Sequence, residues 1–348
     1  MFQDITIDEL RAQRDNRKLV TIDVRSPSEF RESTIPGSIN IPLFDDQERA
    51  EIGTLYKQTS IQAAKERGLE VVSAKLPAFI REIDQIKEKK AVFCWRGGMR
   101  SKTTATVLSL MGIHVYRLNG GFRAYRRWVV ETLAAFDFKP EAIVLHGNTG
   151  TGKTAILKQL ESEGYPVLDL EQLAGHRGSI FGEVGLKANN QKSFEALLLE
   201  KLLTLQDSPY VVLEAESKRI GKVVLPEFLI QKKEKGAAIR IEAPMDVRVQ
   251  RIMEDYPTEQ NDVYLKAFNG IKSRIHTPIA AEIASCLQAE RYEPAIRMLL
   301  EYYYDPRYTF TTEQYEDSPQ ITLSIRSLDD AVKQIKDILD RRAASVQS

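Results

Sequence analysis

The stretch Cys94-Trp95-Arg96-Gly97-Gly98-Met99-Arg100-Ser101 decides how the first half of the chain is read: a cysteine opens a short loop that carries two glycines and two arginines. Ala91-Val92-Phe93 before it is an apolar run suited to a buried strand. After it, Thr106, Val107, Leu110 and Met111 recur at helical spacing within residues 102–112. Cys94 therefore stands where a strand ends and a helix begins. Unpaired N–H groups and the positive end of the helix dipole converge there, Arg96 and Arg100 add charge, and together they favour a thiolate. Gly97 and Gly98 let successive N–H groups turn inward on an anion. A cysteine taken at random is more often a small buried hydrophobe, but the residues flanking this one favour chemistry.

At 348 residues the chain exceeds the size at which one core stops growing, so two domains are expected. Hydrophobic residues at 43% and charged residues at 28% belong to an ordinary globular protein, which argues against disordered and membrane classes. Two cysteines, Cys94 and Cys286, and an opening Met-Phe-Gln-Asp without a basic, apolar leader lead us to expect a cytoplasmic protein with no disulfide framework and no zinc site. The 49 basic residues balance the 49 acidic ones. A nucleic-acid partner would have to be held by local patches such as Arg117, Arg123, Arg126 and Arg127 beside Trp128, and Lys232, Lys233 and Lys235.

Val20-Thr21-Ile22-Asp23-Val24-Arg25 reads as a strand that delivers Asp23 and Arg25 to its carboxyl end, where open α/β sheets place their sites. A salt bridge fixing the turn explains this pair at least as well as a chemical role. Ser26, Pro27 and Glu29 signal a capped helix start. Residues 59–90 contain two helical stretches, with Leu76, Phe79, Ile80, Ile83 and Ile86 on a core face. Alternating strands and helices predict a parallel α/β sheet.

Asp23-Val24-Arg25 with Glu29-Phe30, Ile35-Pro36-Gly37-Ser38-Ile39-Asn40, the Cys94 loop, and Leu118-Asn119-Gly120-Gly121 with Trp128 together resemble a rhodanese domain over about residues 1–135. That resemblance implies a sulfur or selenium atom handled at Cys94. The Cys-x5-Arg spacing from Cys94 to Arg100 also fits cysteine phosphatases, but neither His114 nor His146 directly precedes the cysteine.

The pattern resets at residues 134–141, and a second α/β domain is expected over residues 140–348, with a C-terminal helical and strand extension. Ala142-Ile143-Val144-Leu145-His146 is a strand, followed by Gly147-Asn148-Thr149-Gly150-Thr151-Gly152-Lys153-Thr154, the phosphate-binding P-loop pattern, opening a helix at Ala155. Its N–H groups would hold phosphates, Lys153 would reach the terminal phosphate, and Thr154 would contact Mg²⁺. Tyr210-Val211-Val212-Leu213-Glu214-Ala215-Glu216-Ser217 is a strand ending in acids. Glu214 as the metal partner, Glu216 sharing the task, and both merely ending the strand are the open readings, with Asp169 a weaker candidate. His176, Arg177 and Ser179 sit on a glycine-rich loop suited to closing over a phosphate or a base. Residues 247–253 and 264–275 read as amphipathic helices with Arg248, Arg251, Lys266, Lys272 and Arg274 on solvated faces. Tyr302-Tyr303-Tyr304-Asp305-Pro306-Arg307-Tyr308 reads as core aromatics rather than a stacking platform.

As a whole the chain resembles the bacterial tRNA 2-selenouridine synthase family, through the Cys94 loop, Gly147 to Thr154, His176-Arg177-Gly178-Ser179, Glu214-Ala215-Glu216-Ser217 with Ile220-Gly221, and Tyr303-Tyr304-Asp305-Pro306. The resemblance implies a transferase that attaches a geranyl group from geranyl diphosphate to the sulfur of wobble 2-thiouridine. It then replaces that S-geranyl group with selenium from selenophosphate, itself supplied by selenophosphate synthetase. The substrates implied are tRNAs for Lys, Glu and Gln. Cys94, Arg96, Arg100 and Lys153 are the implied catalytic residues. Gly97, Gly98, Met99, Ser101, His176, Arg177, Ser179, Glu216 and Ser217 are implied at the substrate, and Thr154 and Glu214 at the metal. Two other readings are a P-loop nucleotide hydrolase or kinase with a regulatory rhodanese-like or phosphatase-like module, and a sulfur carrier without catalysis of its own.

Overall fold

A computed structural model describes residues 2–15, 19–177, 186–255, 261–307 and 320–346. The chain divides into two compact units, Met1–Ala135 with Glu195–Leu197, and Phe136–Phe194 with Leu198–Ser348. Each is a parallel α/β sheet with helices in its crossovers.

The first unit contains β1 (Gln3–Ile5), α1 (Ile7–Asp15), β2 (Leu19–Asp23), α2 (Pro27–Glu32), β3 (Ile39–Asn40), α3 (Asp46–Gln58), α4 (Ile61–Asp84), β4 (Lys89–Phe93), α5 (Met99–Leu110), β5 (Tyr116–Leu118) and α6 (Gly121–Ala134). The strands run in the order β1-β5-β4-β2-β3, and every pairing is parallel. Parallel strands covered on both faces must be apolar along their length. Accordingly Ile22, Val24, Val92 and Cys94 join Phe79, Ile83 and Leu108 in one buried cluster. The register of β2 against β4 continues past the strand ends, where the Val24 N–H donates to the Phe93 carbonyl at 3.0 Å. The Asp23-Arg25 turn and Cys94 thus emerge side by side.

That turn is structural. Arg25 and Asp23 are almost fully buried, with 2.6 Å between Nη2 and Oδ2. Arg25 also donates to the Ser33 carbonyl at 2.6 Å and lies 4.3 Å from the Phe122 ring centroid, while Thr34 donates to Asp23 at 2.9 Å. Removing one partner leaves a buried charge alone. Asp23→Ala is therefore expected to destabilise this unit by about 3–5 kcal/mol, read as a lower urea midpoint. A loss under about 1 kcal/mol, the scale of an exposed pair, would contradict this reading.

The helices between β3 and β4 differ from the two stretches expected within residues 59–90. The first, α3, lies earlier, and α4 runs unbroken for 24 residues through Pro77. Pro77 stands on the exposed side and forfeits one intrahelical bond, which the burial of Phe79 and Ile83 on the opposite face offsets. Leu76, Ile80 and Ile86 pack against the same cluster, as their spacing predicts.

The second unit contains β6 (Glu141–His146), α7 (Lys153–Ser162), β7 (Val167–Leu168), α8 (Leu170–Ala174), α9 (Gln191–Leu205), β8 (Tyr210–Glu214), β9 (Arg219–Ile220), β10 (Val223–Val224), α10 (Glu227–Glu234), β11 (Ala237–Glu242), α11 (Met245–Asp255), α12 (Asn261–Asn269), α13 (Thr277–Gln288), α14 (Tyr292–Leu299), β12 (Gln320–Ser324) and α15 (Leu328–Val346). Its sheet order is β12-β11-β6-β8-β7, all parallel, while β9 and β10 form a separate antiparallel ribbon that the sequence patterns do not reveal. Strand β6 is central, and its carboxyl end delivers the Gly147–Thr154 loop. The helix expected over 264–275 instead ends at Asn269, because Gly270 interrupts it and a short 3₁₀ turn, Lys272–Arg274, follows. Helices α11 to α14 build a second apolar cluster that buries Tyr303 and Tyr304, so these two aromatics are core. Tyr308 lies outside the described residues. No helix among the described residues is long and apolar enough to cross a membrane.

Candidate active sites: a cysteine cradle and a phosphate loop

Cys94 directly follows β4, and its Sγ lies 3.2 Å from Ser101 Oγ on the first turn of α5. The loop between them is held from outside by the start of α6: the N–H groups of Phe122 and Arg123 donate to the carbonyls of Cys94 and Trp95, each at 2.9 Å. This approach requires glycine at position 121, where φ is +58° and a Cβ would fall 2.1 Å from the Cys94 carbonyl oxygen. Arg117, anchored by Asp4 at 2.7 Å, donates to the Gly97 carbonyl at 2.8 Å. With their carbonyls engaged outward, loop N–H groups are left to face an anion. Gly98 and Met99 are exposed at the loop tip.

The two loop arginines have different tasks. Arg96 is exposed and has no ion pair or hydrogen bond among the described residues, so it can meet an incoming anion. Arg100 is committed to Glu29 by a fork of 2.5 and 3.1 Å. Burial alone would raise the Glu29 pKa, but the hydrogen bonds and charge of Arg100 outweigh it and hold this carboxyl below its usual range. Burial likewise opposes the Arg100 charge, and Glu29, with Cys94 and Asp23 behind it, raises its pKa nonetheless. Glu29 reads from sequence only as a helix cap. Its Oε2 does accept from the Ser26 N–H at 3.2 Å, and the spacing gives no sign that the same group reaches 71 residues along the chain.

In the second unit Lys153 curls over its own loop and donates to the Gly147 carbonyl at 2.8 Å. Arg248 and Arg251 require a correction: they do not lie on a solvated face. Arg248 is 5% exposed and donates to the Thr149 carbonyl at 2.8 Å, while Arg251 donates to the Thr151 carbonyl at 2.7 Å. A loop that turns its N–H groups inward presents carbonyls outward, and these need donors. One turn of α11 supplies both. Asp305 in turn holds Arg248 through two bonds of 2.9 and 2.6 Å, which gives the Tyr303-Tyr304-Asp305-Pro306 motif a task at the phosphate loop.

Beneath the loop lies an acidic cluster. Glu171, Glu214 and Glu216 each offer a carboxylate oxygen within 4.8 Å of the others, and Thr154 Oγ1 donates to Glu171 at 3.0 Å. Glu214 Oε1 is buried with no hydrogen-bond partner among the described residues. Burial, then the charge of Glu171, raises Glu214 well above the carboxylate range, with Lys153 opposing. The same causes lift Glu216 to about 7. Crowded oxygen-only donors with an orphaned oxygen fit a hard divalent cation such as Mg²⁺. The sequence does not point to Glu171; it offers Asp169 only as a weaker candidate beside Glu214 and Glu216. Asp169 Oδ1 caps α8 by accepting the Gln172 N–H at 2.8 Å, and that cap aims Glu171, two residues on, at Thr154. Nearby His146 is held down to about 4 by burial and by Lys233 and Lys153, so it is neutral at physiological pH.

The remaining expected residues are more scattered. His176 packs its ring against Gly221, where a Cβ would lie 2.6 Å from Cδ2, and its Nδ1 is buried with no partner among the described residues. Arg177 is half-buried, and Ser179 lies outside the described residues. Ser217 is exposed, its Oγ donating to the Arg219 carbonyl at 2.6 Å. Of the basic patches, Arg123 and Arg127 face solvent. Arg117 supports the cysteine loop, and Lys233 is buried against the Glu216 carbonyl, so neither forms part of an open surface.

A parallel sheet that delivers a cysteine into a backbone cradle, followed by a strand–loop–helix phosphate site, defines a rhodanese-like domain joined to a P-loop domain. Both assignments have matches: residues 6–127 to the rhodanese-like domain family and residues 140–277 to the tRNA 2-selenouridine synthase AAA domain family. The chain is 32% identical to the tRNA 2-selenouridine synthase of Bdellovibrio bacteriovorus, over 84% of this chain and 89% of that one. It is 37% identical to that of Nitrosomonas europaea, over 68% of this chain and 63% of that protein. The chain belongs to the tRNA 2-selenouridine synthase family of enzymes. Among solved structures, the N-terminal domain of a putative ATP/GTP binding protein from Clostridium difficile 630 is 34% identical, covering 37% of this chain and 99% of that one, with a TM-score of 0.35.

Proposed function

We propose that this chain is a cytoplasmic tRNA 2-selenouridine synthase acting in two steps on wobble 2-thiouridine, in tRNAs for Lys, Glu and Gln. The supporting observation is the pairing of a thiol-bearing anion cradle with a phosphate loop set over buried acids. In the first step the thiocarbonyl sulfur attacks C1 of geranyl diphosphate. The carbon–oxygen bond breaks, pyrophosphate leaves, and the base loses its N3 proton. Lys153 and the N–H groups of residues 147–154 bind and stabilise the departing pyrophosphate. Thr154, Glu171, Glu214 and Glu216 would hold Mg²⁺, which when bound supplies charge neutralisation at that leaving group.

In the second step the selenium of selenophosphate adds at C2, geranylthiolate leaves and takes up a proton, and water then cleaves the selenium–phosphorus bond, releasing phosphate and leaving selenium on C2. Alkylation has turned a poor leaving group into a good one. Arg96 and the N–H groups of residues 95–101 receive the anionic donor beside Cys94, and Arg100, fixed by Glu29, keeps positive charge at the start of α5. The test is mass spectrometry of tRNA nucleosides from cells with and without the gene. Loss of 2-selenouridine with accumulation of 2-thiouridine is expected in its absence, and unchanged 2-selenouridine would exclude the assignment.

A further inference from the structure

Beside the cysteine loop the first unit carries a concavity of about 540 Å³ between α3, α4 and the start of α5, and neither step above uses it. Its floor is apolar, with Phe44, Ile52 and Val72. Gly68 keeps the floor open, because a side chain there would project toward Phe44 and Ile52, whose nearest atoms lie 3.6 and 3.9 Å from its Cβ position. Apolar groups also line the mouth in contact with water: Tyr56 is 58% exposed, Ile61 53%, Leu69 70% and Met99 62%.

Two further features indicate what enters. The rim is cationic, with Arg49, Lys57 and Lys65 in the lining and no acidic residue among the lining groups. The slot is also continuous with the reaction centre. Met99 and Arg100 belong to its wall and to the cysteine loop at once, and the Glu29 carboxylate that fixes Arg100 also lies 3.6 Å from Arg49. An apolar slot with a cationic rim fits an apolar chain carried on an anionic body, and its position puts the chain's attachment point at the Cys94 loop.

We propose that this slot seats the alkyl chain of an S-alkylated RNA substrate, holding its sulfur-bearing carbon at the Cys94 cradle; this rests on the S-geranyl reading given above. The chain is bound through burial, each methylene contributing roughly fourfold in affinity. The RNA phosphates meet the lysines of the rim. The slot thereby distinguishes alkylated RNA from the unmodified thio form, so that the second step acts only on the product of the first.

The experiment compares binding of two RNA hairpins to the full-length chain, one carrying S-geranyl-2-thiouridine and one S-methyl-2-thiouridine. The unaltered chain is expected to prefer the geranyl hairpin by at least about tenfold. Gly68→Leu, which fills the floor, and Ile61→Asp, which places a charge at an exposed position of the mouth, are expected to reduce that preference to about twofold or less while the methyl hairpin binds as before. Retention of the full preference in Ile61→Asp, with an unchanged unfolding midpoint, would place the chain elsewhere and overturn the proposal. Equal binding of the two hairpins by the unaltered chain would do the same. Turnover of the geranyl hairpin with selenophosphate tests the two-step reading separately. A chain that shows the binding preference, loses it in the variants, and never converts the hairpin would retain the slot and lose the reading.

Discussion

Replacing Cys94 with serine is expected to lower 2-selenouridine formation by about a thousandfold or more, and to leave S-geranyl-2-thiouridine to accumulate. Serine is close to isosteric, and the loop is fixed by the Phe122 N–H donating to the Cys94 main-chain carbonyl and by Arg117 donating to the Gly97 carbonyl, which the substitution does not touch. The cradle therefore keeps its shape and loses only its sulfur. A hydroxyl is far less acidic and nucleophilic than a thiol, so any step that depends on Cys94 sulfur fails. Geranylation is assigned to the other unit and is expected to continue at the unaltered rate. Normal 2-selenouridine levels in the variant would show that the loop does not handle selenium.

Lys153→Ala is expected to slow geranylation by about a hundredfold to a thousandfold, the scale for removing one group that stabilises a developing charge. The loss has two origins. Lys153 no longer meets the departing pyrophosphate, and the acidic cluster loses a cation that holds Glu214 and Glu216 down. Without it both carboxyls shift further upward and hold a divalent cation less well at neutral pH. RNA that already carries the S-geranyl group bypasses this site, and its conversion to 2-selenouridine is expected to proceed normally. A variant equally impaired on geranylated RNA would mean that the phosphate loop serves both steps.

Much of the fold and of the two sites follows from local pattern. The strands ending at Phe93 and His146 are short apolar runs with glycine loops after them, and both sites lie at those ends. The parts that were not legible depend on long-range contact. Glu29 and Arg100 are 71 positions apart, Arg248 and Thr149 are 99 apart, and helical spacing cannot say whether an arginine faces water or a distant carbonyl. Nothing in the sequence singles out Glu171, whereas Asp169 stands at a strand end and reads from that alone as a weaker candidate acid. The backbone needed it as a cap, which turned the next acid toward Thr154. The slot beside Cys94 depends on how α3 packs on α4, and neither helix announces it alone.

If the two sites divide the labour, variants that each lack one site must complement one another in sequence. 2-Thiouridine tRNA is treated with geranyl diphosphate and the Cys94→Ser chain, repurified, and given with selenophosphate to the Lys153→Ala chain, with nucleosides read by mass spectrometry. S-geranyl-2-thiouridine is expected after the first incubation and 2-selenouridine after the second, although neither variant alone completes the sequence from 2-thiouridine at an appreciable rate. Absence of 2-selenouridine after the second incubation, with the geranylated nucleoside intact, would contradict this division of labour.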